Sequence, residues 1–429
     1  MRTLRRLAFW ALDAIKGGRV RRHYNDICKI LTEGKPNTRR LNELLHHASE
    51  TTSFYSAFSD DCISSYPVIN KTVIRENYDS MLSSAFTGKP LRKVSTSGST
   101  GTPFRVVWDR EKRNRQIADL LVFNNLAGQK FGDPYMYFRV WSSGTKQSRL
   151  KQFLQNATPI DIRNLDKNTF EYIRRKLKSG SVNACIGYAS TYEHLVKYFI
   201  SQGDTPDLFK VKTFITSSEV MTPEIKSMIK KTVGCELADR YSNEENGFLA
   251  QAIGEKGVFD VNIASFYLEI LKEDSDEPAD IGEVGRIVIT DLYGYALPMI
   301  RYDTGDLAIK LEEKDGCVTK ISSIQGRRAD VIYTTSGKKI TSHAFGVYMK
   351  AFESIKQYQI IQNGVNDYSL VLNGAQGCYD DAGIIKVIKE LLGDNANVRI
   401  DHVDVIPTLA SGKFKRTVCN YEFNENNYN

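Results

Sequence analysis

The feature that most constrains the fold is an alternation of strand and helix signals between residues 182 and 242. Buried strands are predicted at Val182–Tyr188, Val211–Thr216 and Cys235–Tyr241. The two segments between these strands carry apolar residues at helical spacing. Strand, helix, strand, helix and strand with short connections predict right-handed crossovers in a parallel sheet. Because ligands bind beyond the carboxyl ends of such strands, we expect an α/β fold with a site at that edge.

Both predicted helices have start signals. Ser190 and Glu193 have the spacing of a capping box, in which each side chain bonds to the other residue's backbone N–H. Thr222 and Pro223 supply an N-cap and a first-turn proline for the second helix. We therefore expect one helix to begin beside Ser190 and the other to begin at Pro223.

The remaining chain divides into two further regions. After residue 255, short strands predict a β-rich subdomain, at Phe266–Leu271, Gly285–Thr290 and Asp306–Leu311. A compact α+β module follows, with strands at Tyr358–Gln362 and Tyr368–Leu372 and a helix at Ile384–Leu392. A chain of 429 residues exceeds the usual size of one core. We place the boundary at Gly326–Asp330, which gives a large N-terminal domain, residues 1–326, and a small C-terminal domain, residues 327–429.

Positive charge is concentrated at the start of the chain. Residues 1–50 hold 11 Lys or Arg residues against 5 Asp or Glu residues, nearly the whole net charge of +7. The nearly neutral remainder argues against a nucleic-acid-binding face. Leu7–Ile15 is apolar apart from Asp13 and is too short to span a bilayer. We interpret it as a basic amphipathic helix that caps the fold, with contact to a membrane surface as the alternative.

The spacing of the cysteines indicates whether to expect a structural metal site and which cellular compartment suits the chain. The seven cysteines are scattered, without a C-x-x-C pair or a nearby histidine at zinc spacing. This pattern disfavours a structural metal and a disulfide scaffold. A reducing environment suits such thiols, and we expect a cytoplasmic protein.

A segment rich in Ser, Thr and Gly, Ser95–Pro103, is the first candidate for chemistry. Two glycines among hydroxyl residues allow successive backbone N–H groups to converge on a polyphosphate. The segment is not a P-loop, because no lysine follows the second glycine and a strand is predicted at Phe104–Trp108. The alternative is an ordinary surface loop.

Two acidic segments are further candidates. In Arg301–Asp306 an aspartate follows a tight glycine turn, where its carboxylate can accept hydrogen bonds from both hydroxyls of a ribose. The alternative is a turn whose aspartate caps its own backbone. Tyr241–Glu245 follows a predicted strand, so its carboxylates can hold the Mg²⁺ that accompanies ATP while an aromatic ring stacks on adenine. The alternative is a surface loop with two acids.

A basic segment near the C-terminus, Pro407–Arg416, presents Lys413 on a glycine turn. A lysine held in this way can act as a mobile point charge toward negative charge that develops on a phosphate or carboxylate. The alternative is a basic surface turn.

Taken in order, these segments resemble the adenylate-forming superfamily of acyl-CoA synthetases, nonribosomal adenylation domains and luciferases. Tyr66–Lys71 and Gly187–Ser190 are similar to the phenylacetate–CoA ligase branch, especially its relatives associated with capsular polysaccharide synthesis. The similarity extends from about residue 60 to about residue 420. It implies an α/β fold: a large N-terminal domain with parallel sheets and a β-rich subdomain, followed by a small mobile α+β C-terminal domain.

The resemblance also implies a role for each matched residue. The flexible phosphate loop corresponds to Thr96, Ser97, Gly98, Ser99, Thr100, Gly101 and Thr102. The adenine-binding segments correspond to Ser218, Glu219 and Tyr241, the ribose-binding acid to Asp306, and the catalytic magnesium-binding acid to Glu245. The hinge before the mobile domain contains Arg327, Arg328 and Asp330, with Arg327 as a nucleotide contact. Lys413 corresponds to the catalytic lysine that bridges the carboxylate and the α-phosphate during adenylation.

Three residues depart from the family pattern. Thr102 stands where many members have lysine, so phosphate binding would depend more on backbone amides. Glu244 replaces the usual threonine before Glu245, which leaves open which of the two acids holds the metal. Ser218 replaces a common glycine ahead of Glu219 and can alter adenine packing.

The implied activity has two steps. With ATP and Mg²⁺, a carboxylic acid becomes an acyl-adenylate and pyrophosphate leaves. Rotation of the small domain then withdraws Lys413 and admits the acceptor. Coenzyme A is the expected acceptor, and an amine or a sugar hydroxyl in surface polysaccharide synthesis is the alternative. The acid itself stays open, with Tyr188 expected at its pocket and Phe138 and Trp141 as further candidates.

Two hypotheses from other classes also stay open. One is a non-catalytic nucleotide- or acyl-binding relative, and the other is a phosphotransferase that would release ADP. In either case we expect small-molecule partners and no nucleic acid. The oligomeric state is open, with a homodimer as one alternative.

Overall fold

A computed structural model of the chain describes residues 2–58, 62–96, 104–141, 148–217, 219, 221–325, 332–340, 345, 349, 352, 355, 357–374, 377, 379–407 and 416–421. The chain divides into two compact units. The first contains Met1–Thr304 and Ala308–Ser323, and the second contains Gly305–Leu307 and Ile324–Asn429. The predicted boundary at residues 326–330 lies outside the described residues, so domains at residues 1–326 and 327–429 stay a prediction.

The first unit contains the helices α1 to α10. Their bounds are α1 Arg2–Ile15, α2 Arg19–Glu33, α3 Thr38–Thr51, α4 Lys71–Glu76, α5 Tyr78–Met81, α6 Arg110–Leu126, α7 Arg149–Gln155, α8 Lys167–Ser179, α9 Ala189–Ser201 and α10 Pro223–Thr232. Short 3₁₀ helices lie at Ile63–Ser65, Ser84–Phe86, Ile162–Asn164 and Pro206–Leu208. Among the described residues, no helix has the length and apolar character needed to cross a membrane.

Strands β1 to β13 complete this part of the chain. Their bounds are β1 Arg92–Thr96, β2 Phe104–Trp108, β3 Tyr135–Arg139, β4 Ala157–Asp161, β5 Ala184–Gly187, β6 Thr213–Thr216, β7 Glu236–Asn243, β8 Gly247–Ile253, β9 Val258–Val261, β10 Phe266–Leu271, β11 Val284–Asp291, β12 Tyr302–Lys314 and β13 Cys317–Gln325. Strands β3 to β13 form one sheet in the order β10-β11-β12-β13-β9-β8-β7-β6-β5-β3-β4. Strands β1 and β2 form a separate antiparallel pair.

The sheet confirms the predicted α/β class. Strands β4, β3, β5, β6 and β7 run parallel, with α9 and α10 as the crossovers between β5, β6 and β7. Beyond β7 the pairs β7–β8, β8–β9, β9–β13 and β10–β11 are antiparallel, as expected of the predicted β-rich subdomain. The parallel half therefore presents the carboxyl ends of its strands at one edge.

Helix packing fixes this parallel half. One face of the sheet is covered by apolar residues of α8, α9 and α10, among them Ile173, Leu195, Phe199 and Ile229, and Phe138 and Phe214 face them from the strands. Burial of each such side chain contributes about 1.5–3 kcal/mol. On the opposite face, Tyr135 and Tyr137 pack against a smaller cluster that includes Ile186 and Ile215.

The sequence predicted how each of the two crossover helices begins, and the structure agrees with the prediction for one of them. Helix α10 begins at Pro223 with the Thr222 side chain accepting from the backbone N–H of Ile225, as predicted. Helix α9 begins at Ala189 after Tyr188, without a side-chain cap from its own N-cap residue. Glu193 instead pairs with Lys197 one turn on, at 2.8 Å. The predicted Ser190–Glu193 capping box is therefore wrong.

The second unit contains the predicted α+β elements. They are β14 Ile332–Tyr333, β15 Lys339–Ile340, β16 Tyr358–Gln362, β17 Asp367–Asn373, α11 Asp381–Leu392, β18 Asn397–Val403 and β19 Thr417–Cys419. The sheet order is β18-β17-β16-β19, with β16–β17 antiparallel and the outer pairs parallel. Ile384, Ile388 and Leu392 of α11 pack on this sheet against Ile360 and Leu370.

Candidate functional site at the sheet edge

Two neighbouring parallel strands, β5 and β6, end together at the predicted edge. The register pairs Gly187 of β5 with Thr216 of β6, so Tyr188 and Ser217 leave the sheet side by side. A Cβ atom at residue 187 would lie 2.6 Å from the Cβ atom of Phe138. Only glycine therefore allows β3 and β5 to approach this closely, and the chain turns outward immediately afterwards.

Glu219 occupies the loop after β6 and reaches the start of α9. Its Oε2 atom accepts a hydrogen bond from the backbone N–H of Ser190 at 2.8 Å. The free N–H groups of a helix start favour a carboxylate in this position. Glu219 therefore supplies the cap that Ser190 and Glu193 were predicted to provide.

The second oxygen of Glu219 is available for a ligand. Oε1 is buried and has no hydrogen-bond partner among the described residues. The amide nitrogen of Asn243, at the end of neighbouring β7, is likewise buried without a partner in that part of the chain. Open buried atoms also occur elsewhere in the described chain, for example on Thr213 at the start of β6, but an acceptor and a donor left open at one sheet edge are suited to a polar ligand.

Tyr188 lies among charged groups at the same edge. Its half-buried hydroxyl has a raised pKa, chiefly because burial disfavours the phenolate, with Glu219 and Glu244 adding to the rise. The nearby Arg139 guanidinium opposes this shift in the pKa. Tyr188 is therefore a neutral hydrogen-bonding group at neutral pH, beside one cation and two acids.

The turn between β7 and β8 has a defined shape. The Asn243 side-chain oxygen accepts from the backbone N–H of Asn246 at 2.8 Å. Gly247 follows with φ +103°, a conformation that favours glycine, and a Cβ there would lie 2.7 Å from Nε2 of Gln116 on α6. The predicted segment Tyr241–Glu245 is thus the end of a strand followed by a tight turn.

Tyr241 is fixed at the end of β7. The strand register shifts between Tyr241 and Ser242, which re-aims the side chains of a strand. The Tyr241 hydroxyl donates to Oγ1 of Thr304 at 3.2 Å, and the Thr304 hydroxyl donates to the carbonyl of Ile287 at 3.0 Å. The half-buried ring is therefore held by its hydroxyl at the end of β7.

Glu245 is buried and anchored from three sides. Its side-chain Oε1 accepts from the Tyr302 hydroxyl at 2.8 Å and lies 2.9 Å from the Lys71 ammonium. Its backbone carbonyl accepts from the Trp108 indole at 3.0 Å. With 3% of the residue exposed, Glu245 is a preorganised carboxylate, whereas Glu244 beside it is exposed.

Lys71 is a site residue that the sequence analysis did not identify. Asn70 caps α4 by accepting from the backbone N–H groups of Thr72 and Val73, which places Lys71 at the first helical position. Ile69 forms a parallel bridge with Tyr302, the residue that also contacts Glu245. The Asn70 cap could have been predicted, but the contact between Lys71 and Glu245 joins segments far apart in the sequence.

The Lys71 ammonium also marks the base of the predicted phosphate loop. It lies 5.3 Å from the centre of the Phe104 ring. Phe104 pairs with Thr96 across β1 and β2, so the strand residues on either side of 97–103 are direct neighbours. The loop residues Ser97, Gly98, Ser99, Thr100, Gly101 and Thr102 lie outside the described residues, as does any description of the Thr96 side chain.

The described side chains can be compared with the ligands that a Mg²⁺ ion needs. Within the described ranges, no group of three or more His, Cys, Asp or Glu side chains is placed to hold an ion. Mg²⁺ in nucleotide sites is commonly held by one or two carboxylates together with substrate phosphates. Glu245, whose Oε1 atom is engaged by Lys71 and Tyr302, fits such a site through its second oxygen only.

An aromatic wall follows β3. The Arg139 guanidinium lies 5.7 Å from the Tyr137 ring centre and 5.4 Å from that of Trp141, and the two rings meet edge to face at 5.6 Å. Phe138, predicted as a further pocket candidate, instead points into the core and contacts Tyr192. Trp141 and Tyr188 therefore stay pocket candidates, and Arg139 joins them.

Asp306 differs from its predicted local structure. It lies inside β12, which begins at Tyr302, so the predicted tight turn at Arg301–Asp306 is wrong. Gly305 has φ +81° within the strand, the conformation that glycine supplies at bulges as well as at turns. The ribose-binding role of Asp306 stays a prediction, and Ser218, Arg327, Arg328, Asp330 and Lys413 lie outside the described residues.

Comparison with known proteins gives matches along most of the chain. Residues 332–420 match the family model described as the CapK C-terminal domain. Protein CapK of Staphylococcus aureus is 23% identical over 442 residues, covering 94% of this chain and 93% of that protein. The phenylacetate-coenzyme A ligase of Thermus thermophilus is 21% identical over 390 residues, covering 85% of each chain.

A solved structure shares the fold. The crystal structure of 2-hydroxyisobutyryl-CoA ligase in the postadenylation state, in complex with R3-HIB-AMP, matches with a TM-score of 0.67 and 16% identity. The match covers 91% of this chain and 89% of that one. The resemblance predicted from the motifs is confirmed: the chain is similar to CapK and to phenylacetate–CoA ligases, and it has the fold of an adenylate-forming CoA ligase.

Proposed function

We propose that this chain is an adenylate-forming ligase, which activates a carboxylic acid with ATP and transfers the acyl group to coenzyme A. The similarity to phenylacetate–CoA ligase and the shared fold with a CoA ligase support this class of reaction. The observation that carries the proposal is the open polar edge of the sheet, formed by Glu219, Asn243 and Tyr241 beside the Lys71–Glu245 pair.

The edge has the chemistry needed for an adenine nucleotide. Adenine carries an amino donor beside ring-nitrogen acceptors, which complement the open Oε1 of Glu219 and the open Nδ2 of Asn243. The Tyr241 ring, tethered by its hydroxyl, is proposed to stack on the adenine. Ser218 and Asp306 are proposed to complete the adenine and ribose contacts, as the family resemblance implies.

Lys71 is proposed to bind the polyphosphate. Thr102 stands at the end of the phosphate loop, where many relatives carry a lysine. The Lys71 ammonium lies at the base of that loop, and a hydrogen bond to Glu245 uses one of its three N–H donors. The remaining donors can face phosphate oxygens while Glu245 holds the side chain in place.

In the first step, an oxygen of the substrate carboxylate forms a bond to the α-phosphorus and the bond to pyrophosphate breaks. Charge spreads over the phosphoryl oxygens, so fixed cations and N–H donors lower the barrier by electrostatic preorganisation. Lys71 and the backbone of residues 96–102 serve the departing pyrophosphate, and Lys413 serves the carboxylate and α-phosphate. Mg²⁺, held by Glu245, would neutralise further phosphate charge.

In the second step, the thiol sulfur of coenzyme A attacks the acyl carbon, AMP departs and the thiol proton is lost. A hinge at Arg327, Arg328 and Asp330 is proposed to move Lys413 away before this attack. The family resemblance implies a second acceptor class, an amine or a sugar hydroxyl in surface polysaccharide synthesis. The acid is proposed to lie against Tyr188, Trp141 and Arg139.

The two steps can be separated by experiment. Acid-dependent exchange of pyrophosphate into ATP, measured across aryl, fatty, hydroxy and amino acids, tests adenylation and identifies the acid. Lys413→Ala is expected to reduce this exchange by roughly 10²–10³-fold, because one preorganised charge is lost. The same variant, supplied with pre-formed acyl-adenylate and coenzyme A, is expected to make product at nearly the wild-type rate.

Other outcomes would point elsewhere. Release of ADP would replace adenylation by phosphotransfer, and no nucleotide turnover with any acid would indicate a non-catalytic relative. Adenylation with AMP release but no thioester would redirect the search to amine and hydroxyl acceptors. Equal losses in both half-reactions of Lys413→Ala would keep a catalytic lysine but exclude the moving hinge.

A further inference from the structure

The first helix of the chain turns its aromatic residues inward and exposes its aliphatic residues. A surface helix normally turns its apolar stripe toward the core. In α1 the buried residue is Asp13, whose carboxylate accepts from the backbone N–H groups of Val20 and Arg21 at the start of α2. The four large aliphatic residues of α1 are instead 54–82% exposed: Leu4, Leu7, Leu12 and Ile15.

The inner face of α1 is firmly attached to the first unit, so its outward face is a fixed surface. Phe9 packs on Phe131 with ring centres 4.6 Å apart. Arg6 donates to the carbonyl of Phe131 and pairs with Asp133 at 2.6 Å. Because polar and aromatic residues make these attachments, the aliphatic residues are not needed to hold the helix in place.

A second exposed apolar set adjoins the first. Helix α7 buries none of its side chains fully, and Leu150, Phe153 and Leu154 are 52–69% exposed. Arg5 of α1 donates to the carbonyl of Phe153 at 3.0 Å, and its guanidinium lies 4.8 Å from the Phe153 ring centre. We call these two sets together the outer apolar surface: Leu4, Leu7, Leu12, Ile15, Leu150, Phe153 and Leu154.

The exposed charges on α1 and α7 are of one sign. Exposed cations lie on or next to both helices, at Arg2, Lys16, Arg149 and Lys151. Helix α7 contains no acid, and the acid of α1, Asp13, is buried. Leu and Phe residues beside Lys and Arg form the pattern of interfacial segments that insert among lipid headgroups, where anionic lipids attract the cations.

We propose that α1 and α7 dock this chain onto the surface of a membrane that contains anionic lipids. The helices lie in the headgroup plane, because the 14 residues of α1 are fewer than the roughly 20 that a span requires. The aliphatic and Phe153 side chains enter the acyl boundary, while the cations stay at the phosphate level. This docking is independent of the proposed ligase reaction and would place any such reaction beside a membrane.

Vesicle co-sedimentation of the full chain tests the docking. We expect binding to phosphatidylcholine–phosphatidylglycerol vesicles, weaker binding to phosphatidylcholine alone, and loss of the difference at high salt, which screens exposed charges. The double variant Leu7→Asn with Leu12→Asn is expected to weaken binding by roughly 100-fold, since burial of each leucine is worth about tenfold or more. Both residues are exposed, so the fold does not depend on them.

A matched control uses apolar residues of the first unit outside α1 and α7. Ile281 is 63% exposed and Ile253 45% exposed, close to 62% for Leu7 and 54% for Leu12. The pair Ile281→Asn with Ile253→Asn is expected to bind vesicles like the wild type. Equal losses in the two pairs, or no binding to anionic vesicles, would overturn the proposal. Self-association in sedimentation velocity that only the Leu7/Leu12 pair abolishes, without vesicle binding, would assign the surface to a second copy instead.

Discussion

Buried polar atoms form different sets of hydrogen bonds and ion pairs in two regions of the molecule. One region is the charged face of α6, and the other is the polar edge at the ends of β6 and β7. On α6, Lys112 lies 2.5 Å from Asp291, with each side chain about 1% exposed. Arg115 donates to Ser265 at 2.8 Å and to the carbonyl of Ala264 at 2.6 Å. Each of these charges has a partner within the protein, and Oδ2 of Asp291 has it as an ion pair with Lys112.

At the sheet edge, the protein leaves part of the pairing open. Oε1 of Glu219 and Nδ2 of Asn243 are buried without hydrogen-bond partners in the described ranges. Each open atom costs the protein stability that a bound partner can restore. The contrast teaches that burial of a charge does not by itself mark a site. Open atoms occur elsewhere among the described residues too, so what distinguishes this edge is an open acceptor and an open donor at the ends of neighbouring strands.

The largest effect is expected from breaking the α6 network. Lys112→Met removes the partner of Asp291. Burial raises the pKa of this aspartate, and the Lys112 ammonium opposes that rise. An uncompensated buried charge should lower the free energy of unfolding by about 3–5 kcal/mol, measured by urea denaturation. Enzyme that remains folded should keep its turnover rate.

The matched control removes both charges. In Lys112→Met with Asp291→Asn, the asparagine oxygen can still accept from the backbone N–H of Tyr293, as Oδ1 of Asp291 does at 3.1 Å. Most of the lost stability should return, because replacing a whole buried pair is often nearly neutral. A double variant as unstable as Lys112→Met would mean that packing over the Phe266 ring, 4.8 Å from Nζ, matters more than charge.

The Lys71–Glu245 pair should behave in the opposite way. The Lys71 side chain is 29% exposed and Tyr302 still donates to Glu245, so Lys71→Met should leave the fold largely intact. We expect acid-dependent pyrophosphate exchange to fall by roughly 10²–10³-fold, the scale of one lost preorganised donor. Arg75→Met provides the control, since Arg75 lies over the same Phe104 ring one turn along α4.

The contrary result for Lys71→Met would be a large loss of stability with an unchanged rate of pyrophosphate exchange. The Lys71–Glu245 pair would then be structural, like the Lys112–Asp291 pair of α6. Melting temperature and exchange rate, measured on the same preparation, separate the two results.

The smallest effect is expected at Glu219. In Glu219→Gln the side-chain oxygen can still accept from Ser190, while an NH₂ group replaces the open acceptor. The KM for ATP should rise about tenfold or more, as the loss of a charge-assisted hydrogen bond predicts. Thermal stability should stay within a few degrees of the wild type. Unchanged ATP affinity by calorimetry would show that Glu219 is a helix cap and nothing more.

Sequence reasoning succeeded where the deciding contacts were local. The cap at Thr222 acts within three residues, and strands β5, β6 and β7 follow from apolar runs, so both were predicted, whereas β3 and β4 were not. The capping box at Ser190 failed because Glu219, from the next loop, reaches the same N–H group. The sequence pattern alone does not show which carboxylate, that of Glu193 or that of Glu219, will cap the helix in the folded chain.

The remaining misses have similar causes. Gly305 adopts a positive φ inside a strand, and the sequence signal for that bulge-like conformation is the same as for the predicted turn before Asp306. Lys71 meets Glu245 only because Ile69 pairs with Tyr302, which joins three distant segments of the chain. Local periodicity carries no information about such a meeting.

The turn glycine that ends the β7–β8 connection has a consequence for how this chain can vary. A single methyl group at Gly247 would press on the Gln116 side chain of α6, 2.7 Å from its amide nitrogen, as well as straining a φ of +103°. Gln116 lies on the helix that carries Lys112 and Arg115, and Gly247 lies two residues after Glu245. The scaffold and the site therefore meet in a direct steric contact at these two residues, and substitutions at positions 116 and 247 should co-vary rather than drift separately.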